Sequence, residues 1–152
     1  MTQKQTRRPA LSGWEIDATA TLPWFFPEEA TPFAEEPPDA PGTQTPWAPT
    51  LSVIECTNHL QRSQRQRRID VHSKAEITGE LDELSVRMDI QTPDFASLDR
   101  LAATHGLSAY DAAYHELALR RTLVPVSLDE RLIAAAKALG HPVLSAPTDA
   151  SN

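Results

Sequence analysis

The sequence contains a single cysteine, Cys56, in 152 residues. One cysteine excludes an internal disulfide and a cysteine-rich zinc site. No apolar run approaches the roughly 18 residues of a membrane span. The basic residues of the opening MTQKQTRRPA are not followed by an apolar core, so no signal peptide is expected, and a soluble cytoplasmic protein is the simple reading. Positive charge is scarce too. A formal net charge of -7 argues against holding nucleic acid by overall charge and leaves that task to a local basic patch. No internal repeat is visible. What is present is 40% hydrophobic residues, enough for one core, in a chain long enough for one domain but not two.

Residues 1–11 and 147–152 read as disordered tails around one domain over 12–146. WEIDA is a short strand ending at Asp17. TLPWFFPEEATPFAEE mixes aromatics with acids, a helix start interrupted by Pro23, Pro27 and Pro32; at least one of Trp24, Phe25 and Phe26 is expected in the core. PPDAPGTQTPWAPT reads as an extended surface connection. A helix is predicted from Leu51 to about Arg68, with Val53, Cys56 and Leu60 on one stripe and Leu51, Ile54, Glu55 and Asn58 on the adjoining face. Another covers Ser73 to Glu83. LSVRMDI alternates Leu84, Val86, Met88 and Ile90 against Ser85, Arg87 and Asp89, the pattern of a strand. DFASLDRLAATHG is a helix stopped by Gly106. LVPVS is a strand leading into the helix LDERLIAAAKALG, for which Ser127 and Glu130 form a capping box and Gly140 the stop. HPVLS closes with a last short strand. Strands alternating with helices predict an α/β fold, a mainly parallel sheet covered on both faces.

One segment, GLSAYDAAYHELALRR, carries an anomaly. Counted from Leu107, its apolar stripe runs through Tyr110, Tyr114, Leu117 and Ala118, and Asp111 falls within it. A structural explanation exists: Ser108 three residues earlier makes a capping box with Asp111, and an acid suits the first turn of a helix. Three further acids occupy suggestive places. Asp17 ends the first strand, Asp129 follows the VPVS strand, and Glu55 shares a helix face with Asn58. Taken singly, Asp17 can begin a turn, Asp129 can cap a helix and Glu55 can be a solvated helix acid. Gathered at one sheet edge, four carboxylates would raise one another's pKa and require a cation. Oxygen-only ligands select Mg²⁺ or Mn²⁺, whose hydrolytic chemistry acts on phosphodiesters.

In these residues the chain resembles the PIN-domain ribonucleases, specifically the VapC toxins of type II toxin–antitoxin pairs. GLSAYDAAYHELALRR with VPVSLDERLIAAAKALGHPVL matches a Gly-Leu-Ser/Thr-x-Tyr-Asp helix followed by a Thr/Ser-x-Asp strand end, while EIDAT and IECTN look like the opening strand and the Glu-x-x-Asn helix. The likeness runs from about Trp14 to Leu144. It implies a three-layer α/β/α sandwich and a Mg²⁺-dependent endoribonuclease acting as a toxin. Asp17 and Asp111 would bind the metal directly, with Glu55 and Asp129 completing the site directly or through water. Asn58 and Ser127 would orient the acids. A VapB-like antitoxin as partner and a homodimer are further implications. RSQRQRR, with Arg62, Arg65, Arg67 and Arg68, is either a solvated helix end or a set of phosphate contacts for RNA. The chain departs from the family in EEPPDAPGTQTPWAPT, where relatives complete a helix and a second strand, so that strand is expected to be short or lost. Cys56 also stands where a small alanine is usual. The rival readings are a non-cleaving PIN-fold RNA-binding or regulatory protein, and a metal-dependent phosphatase or DNA nuclease using the same acids.

Overall fold

The computed structural model describes residues 13–26, 28 and 45–143. The tails expected over 1–11 and 147–152 lie outside the described residues. Strand β1 is Trp14–Ile16, and Asp17 immediately caps helix α1, Ala18–Thr21, its Oδ1 accepting from the Ala20 N–H at 2.9 Å. Pro23 brings no N–H to continue α1, and the chain tightens into a 3-10 turn over Leu22–Trp24. There follow β2 (Trp47–Pro49), α2 (Leu51–Arg65), α3 (Val71–Glu83), β3 (Arg87–Asp89), α4 (Phe95–His105), α5 (Ala109–Arg121), β4 (Val124–Val126) and α6 (Glu130–Ala138). Gly106 stops α4 in the left-handed conformation at φ 61°, as its sequence position predicts.

The strand order is β3-β2-β1-β4, and every pairing is parallel. With six helices flanking this sheet among the described residues, the fold is α/β and compatible with a three-layer α/β/α sandwich. The chain builds outward from β1 through β2 to β3, then returns to place β4 on the other side of β1. The switch point of the topology therefore lies between β1 and β4, where ligands of such sheets bind beyond the carboxyl ends. The register pairs Ile16 with Val126, so Asp17 and Ser127 emerge side by side there.

Trp14, Ile16, Ala20, Val124 and Val126 form one apolar cluster; Ala18, Leu22, Phe26, Cys56, Leu60 and Ile77 join α1, α2 and α3 in a second; Leu117, Ala118 and Leu123 form a third, against Trp47. Phe26 is the aromatic that enters the core, while Trp24 and Phe25 pack partly buried beside it. Cys56 fits the core, and burial pushes its thiol up to about 11, so it stays a protonated packing group.

The strand expected to be short or lost is present and short: the proline-rich stretch ends in β2, between β1 and β3. Two other expectations need correction. Of HPVLS, His141–Val143 are in no strand, and the remainder lies outside the described residues. LSVRMDI yields only the three residues of β3, and its buried residue is Asp89, whereas Ile90 is 87% exposed. Charge outweighs alternation here. Asp89 Oδ1 accepts from Arg121 Nη2 at 2.9 Å, and Arg120 bonds the other oxygen while holding Glu116 at 2.8 Å. Arg121 also stacks over Trp47 of β2, its guanidinium carbon 3.9 Å from the ring centroid. The cluster pins α5 to the edge of the sheet. Burial alone would raise the Asp89 carboxyl, but the bonds and charges of the two arginines together hold it below the ordinary range.

Replacing this acid takes one carboxylate from both arginines, of which Arg120 keeps Glu116. Asp89→Asn should lower the free energy of unfolding at pH 7 by about 1–3 kcal/mol, less than the 3–5 of a fully buried pair because Arg120 and Arg121 are 23% and 36% exposed. The contribution is present above the ordinary aspartate range and disappears as pH falls through the lowered native value. Urea unfolding of both proteins at pH 7 and pH 3 measures it; equal stabilities at pH 7 would show that the cluster contributes nothing.

Candidate functional site

An open cleft of about 620 Å³ lies at the switch point, and Asp17, Glu55, Asn58, Asp111 and Asp129 all line it. All four acids singled out in the sequence thus meet in one cavity, although they come from the end of β1, from α2, from the first turn of α5 and from the start of α6. Ser127 lies beneath, 2% exposed, with its hydroxyl donating to Asp17 Oδ2. Of the basic cluster, Arg62 lines the cleft. Arg65 and Arg67 are exposed at the end of α2. Arg68 pairs with Glu28 at 2.8 Å and lies over the Phe26 ring.

Three of the acids have a hydrogen bond to the carboxylate, and the fourth, Asp111, is placed by its backbone N–H. Asp17 Oδ1 accepts from Thr19 Oγ1 at 2.7 Å as well as from Ala20. Glu55 Oε2 accepts from the phenol of Tyr114, which links α2 to α5. Asp111 stands in the first turn of α5, where its N–H donates to Ser108 Oγ at 3.1 Å, so the expected capping interaction at Ser108 is present. Asp129 Oδ1 accepts from the Arg131 N–H at 2.8 Å and caps α6. The capping box expected from Ser127 and Glu130 does not form, because Ser127 Oγ is occupied by Asp17 and by the Asp129 N–H at 2.9 Å. Tyr110, expected in the buried stripe, is exposed: the first turn of α5 overhangs the cleft, and only from Ala112 onward does the helix meet the core.

The electrostatics agree with crowding. Burial raises Asp17 to about 6 against the bonds from Ser127, Thr19 and Ala20, and the Asp129 charge raises it further. Burial likewise raises Glu55 despite its bond to Tyr114, with Asp111 and Asp129 adding to the effect. Asp111 is raised by burial and by Asp129. One acid, Asp129, therefore acts on the other three.

An all-oxygen donor set of carboxylates and an amide suits a hard dication such as Mg²⁺ or Mn²⁺. Among the described residues, however, no three His, Cys, Asp or Glu side chains stand close enough to hold one ion. The local bonds account for this, since Tyr114, Ser127 and the helix N-termini each hold a carboxylate that would otherwise be available. The donor chemistry fits such a cation, provided these side chains exchange partners.

Three contributors were not singled out in the sequence. Thr19 bridges Asp17 and the Leu128 N–H, the latter at 3.0 Å. Tyr114 was read only as an apolar residue, although its phenol is the partner of Glu55; burial first, then that bond, push the phenol up, so it remains a donor. Glu15 is the third. It alternates with Trp14 and Ile16 on β1 and is buried beside Asp17 and Glu116, with Oε2 lacking any hydrogen-bond partner among the described residues. The alternation of WEI was its only signal, since a strand with Trp14 and Ile16 on one face must put Glu15 on the other.

No protein-family model matches the chain, and no curated protein is significantly similar to it. Among solved structures it is similar to the crystal structure of PAE2754 from Pyrobaculum aerophilum, with a TM-score of 0.63 and 22% identity over 87% of this chain and 89% of that one. At that identity the likeness concerns the fold alone. No helix among the described residues is long and apolar enough to cross a membrane.

Glu15 supplies a test of the electrostatics. Burial first, then the charges of Asp17 and Glu116, raise its carboxyl well above the ordinary range. The folded chain keeps a proton that the unfolded chain releases at ordinary glutamate pH, so this group's stability is complete below that pH and is lost as pH rises through the native value. Glu15→Met removes both the proton and the unpartnered oxygen. Its advantage over the parent, about 1–3 kcal/mol from removing the unpartnered oxygen, should grow further between pH 4.5 and pH 7.5. Thermal unfolding at the two pH values reads this, and a pH-independent difference would refute the assignment.

Proposed function

We propose that the chain is a divalent-cation-dependent endoribonuclease acting as the toxin of a toxin–antitoxin pair. The observation that carries this reading is the meeting of Asp17, Glu55, Asp111 and Asp129 in one cleft at the switch point of the sheet. Those four stand at strand ends and on helix faces in the sequence, and the likeness to PIN-domain VapC toxins, which their order and spacing fit, supplies the activity. Asp17, Asp111, Glu55 and Asp129 would hold Mg²⁺ or Mn²⁺, and Asn58 lines the same cleft. When bound, such a cation neutralises the acids and supplies the Lewis acidity for attack of water on a phosphodiester. The chain's own part is positional. Ser127 and Thr19 fix Asp17, Tyr114 fixes Glu55, and Arg62 offers a cation to the phosphate backbone, with Arg65 in the last turn of α2 and Arg67 just beyond its end. A VapB-like antitoxin covering the acids and a homodimeric assembly are implied by the same likeness.

A second reading, a PIN-fold protein that binds RNA without cutting it, is favoured by one observation: three of the four carboxylates already have a partner within the fold, and no three acids converge among the described residues. Incubation with a panel of structured RNAs in Mg²⁺ or Mn²⁺ decides between the two. Discrete cleavage is expected, abolished by EDTA and reduced at least about a hundredfold by Asp111→Asn, the order of effect of losing one electrostatic group at a reaction centre. Mn²⁺ binding without cleavage would favour the second reading. Cleavage undiminished in Asp111→Asn would remove Asp111 from the site.

A further inference from the structure

The acids are not the only residues that α2 and α5 present to the cleft. Tyr110 and Ile54 also line it and are 61% and 59% exposed. Each directly precedes an acid in the chain: Ile54 before Glu55, Tyr110 before Asp111. Large apolar side chains left open to water beside cleft acids gain free energy only when something covers them. The covering group must be flat and apolar where it meets the Tyr110 ring and must tolerate the carboxylates beside it. It also has to suit Arg62, the cation in the same lining. A nucleotide meets all three requirements, with an aromatic base, a phosphate for the guanidinium, and a second phosphate at the acids once their charge is neutralised.

We propose that Tyr110 and Ile54 form a nucleobase subsite in which an unpaired base of the RNA stacks on the Tyr110 ring and packs against Ile54. This rests on the reading of the cleft as an RNA site and adds the element that selects which nucleotide is presented to the acids. Stacking needs the π-face and not the phenol hydroxyl, and it requires a base free of its own neighbours. Neither side chain belongs to the core clusters, so both can be truncated without opening a cavity.

The test uses the intact protein and single-stranded RNA oligomers carrying 2-aminopurine, whose fluorescence is quenched on stacking, in Ca²⁺, a hard dication that neutralises the acids without the strict octahedral geometry of Mg²⁺, with a gel of each sample to confirm that the oligomer stays intact. The parent protein should quench the probe. Tyr110→Ala should abolish the quench and weaken binding by about tenfold or more, whereas Tyr110→Phe and Tyr110→Trp keep both. Ile54→Ala should weaken binding with part of the quench retained, and the same oligomer in a perfect duplex should show no quench. Parallel assays in Mg²⁺ separate this subsite from the reaction. Quenching without cleavage of any RNA overturns the nuclease reading and leaves the subsite standing. Cleavage whose KM is unchanged in Tyr110→Ala overturns the subsite and leaves the nuclease. Loss of binding in Tyr110→Phe as well would mean that the hydroxyl, not the ring, is recognised. A parent protein that binds no oligomer overturns the subsite and assigns the exposed pair to a protein partner.

Discussion

The hydrogen bond from Ser127 to Asp17 joins the carboxyl ends of β1 and β4, and much of the cleft depends on it. Asp17 uses its other oxygen to start α1 through the Ala20 N–H, and Ser127 Oγ receives the N–H of Asp129, whose own carboxylate starts α6. A continuous chain of polar contacts thus runs from one helix start through two strand ends to another. Each cap is worth about 1 kcal/mol, and a bond to a charged group about 1.5–3. Asp17 remains raised to about 6 even so, which means that these bonds do not fully offset its burial. The strand ends are therefore held by a group that retains free energy to release toward a cation.

The remaining acids repeat that economy. Glu55 is held by Tyr114 and Asp129 by the first turn of α6, so three carboxylates have partners that belong to the fold itself. This is why crowded acids do not prevent folding, and also why they do not converge on a point. For the proposed reaction the same bonds become the barrier between resting and loaded arrangements, since a carboxylate must leave Tyr114 or a helix terminus, or share its second oxygen, to bind a metal. Local satisfaction and cation affinity compete for the same lone pairs.

How much of this was legible in the sequence follows from the range of the interactions. The long helices announce themselves through capping and periodicity, and Asp17 and Asp129 stand out because short apolar strands end just before them. β3 was misread because alternation describes packing against a core, whereas Asp89 is buried by two arginines more than thirty residues away. β2 was nearly lost among prolines because three residues paired on both sides need no pattern of their own. Tyr114 was hidden by its dual nature: its ring satisfies the apolar stripe, while its hydroxyl reaches an acid 59 positions distant. The capping box at Ser127 failed because α6 begins later, with Asp129 as its N-cap, so Ser127 Oγ accepts from the Asp129 N–H and donates to Asp17 instead.

The pairing of an exposed apolar residue with a cleft acid, on both α2 and α5, has a geometric origin. Successive helix residues are separated by about 100°, so when one side chain points into a cleft its predecessor turns toward the rim. Ile54 and Tyr110 occupy those rim positions in helices that reach the switch point from different parts of the chain. A helix in a core would bury both neighbours or expose the acid; here the acid is drawn in and the apolar side chain is left in water. Asp111 thereby lines the cleft from a capped first turn. The Ser108 contact fixes where α5 begins, and that starting point sets which residue of the first turn faces the other acids and which overhangs the opening. The helix cap does not compete with the place of Asp111 in the cleft; it determines it.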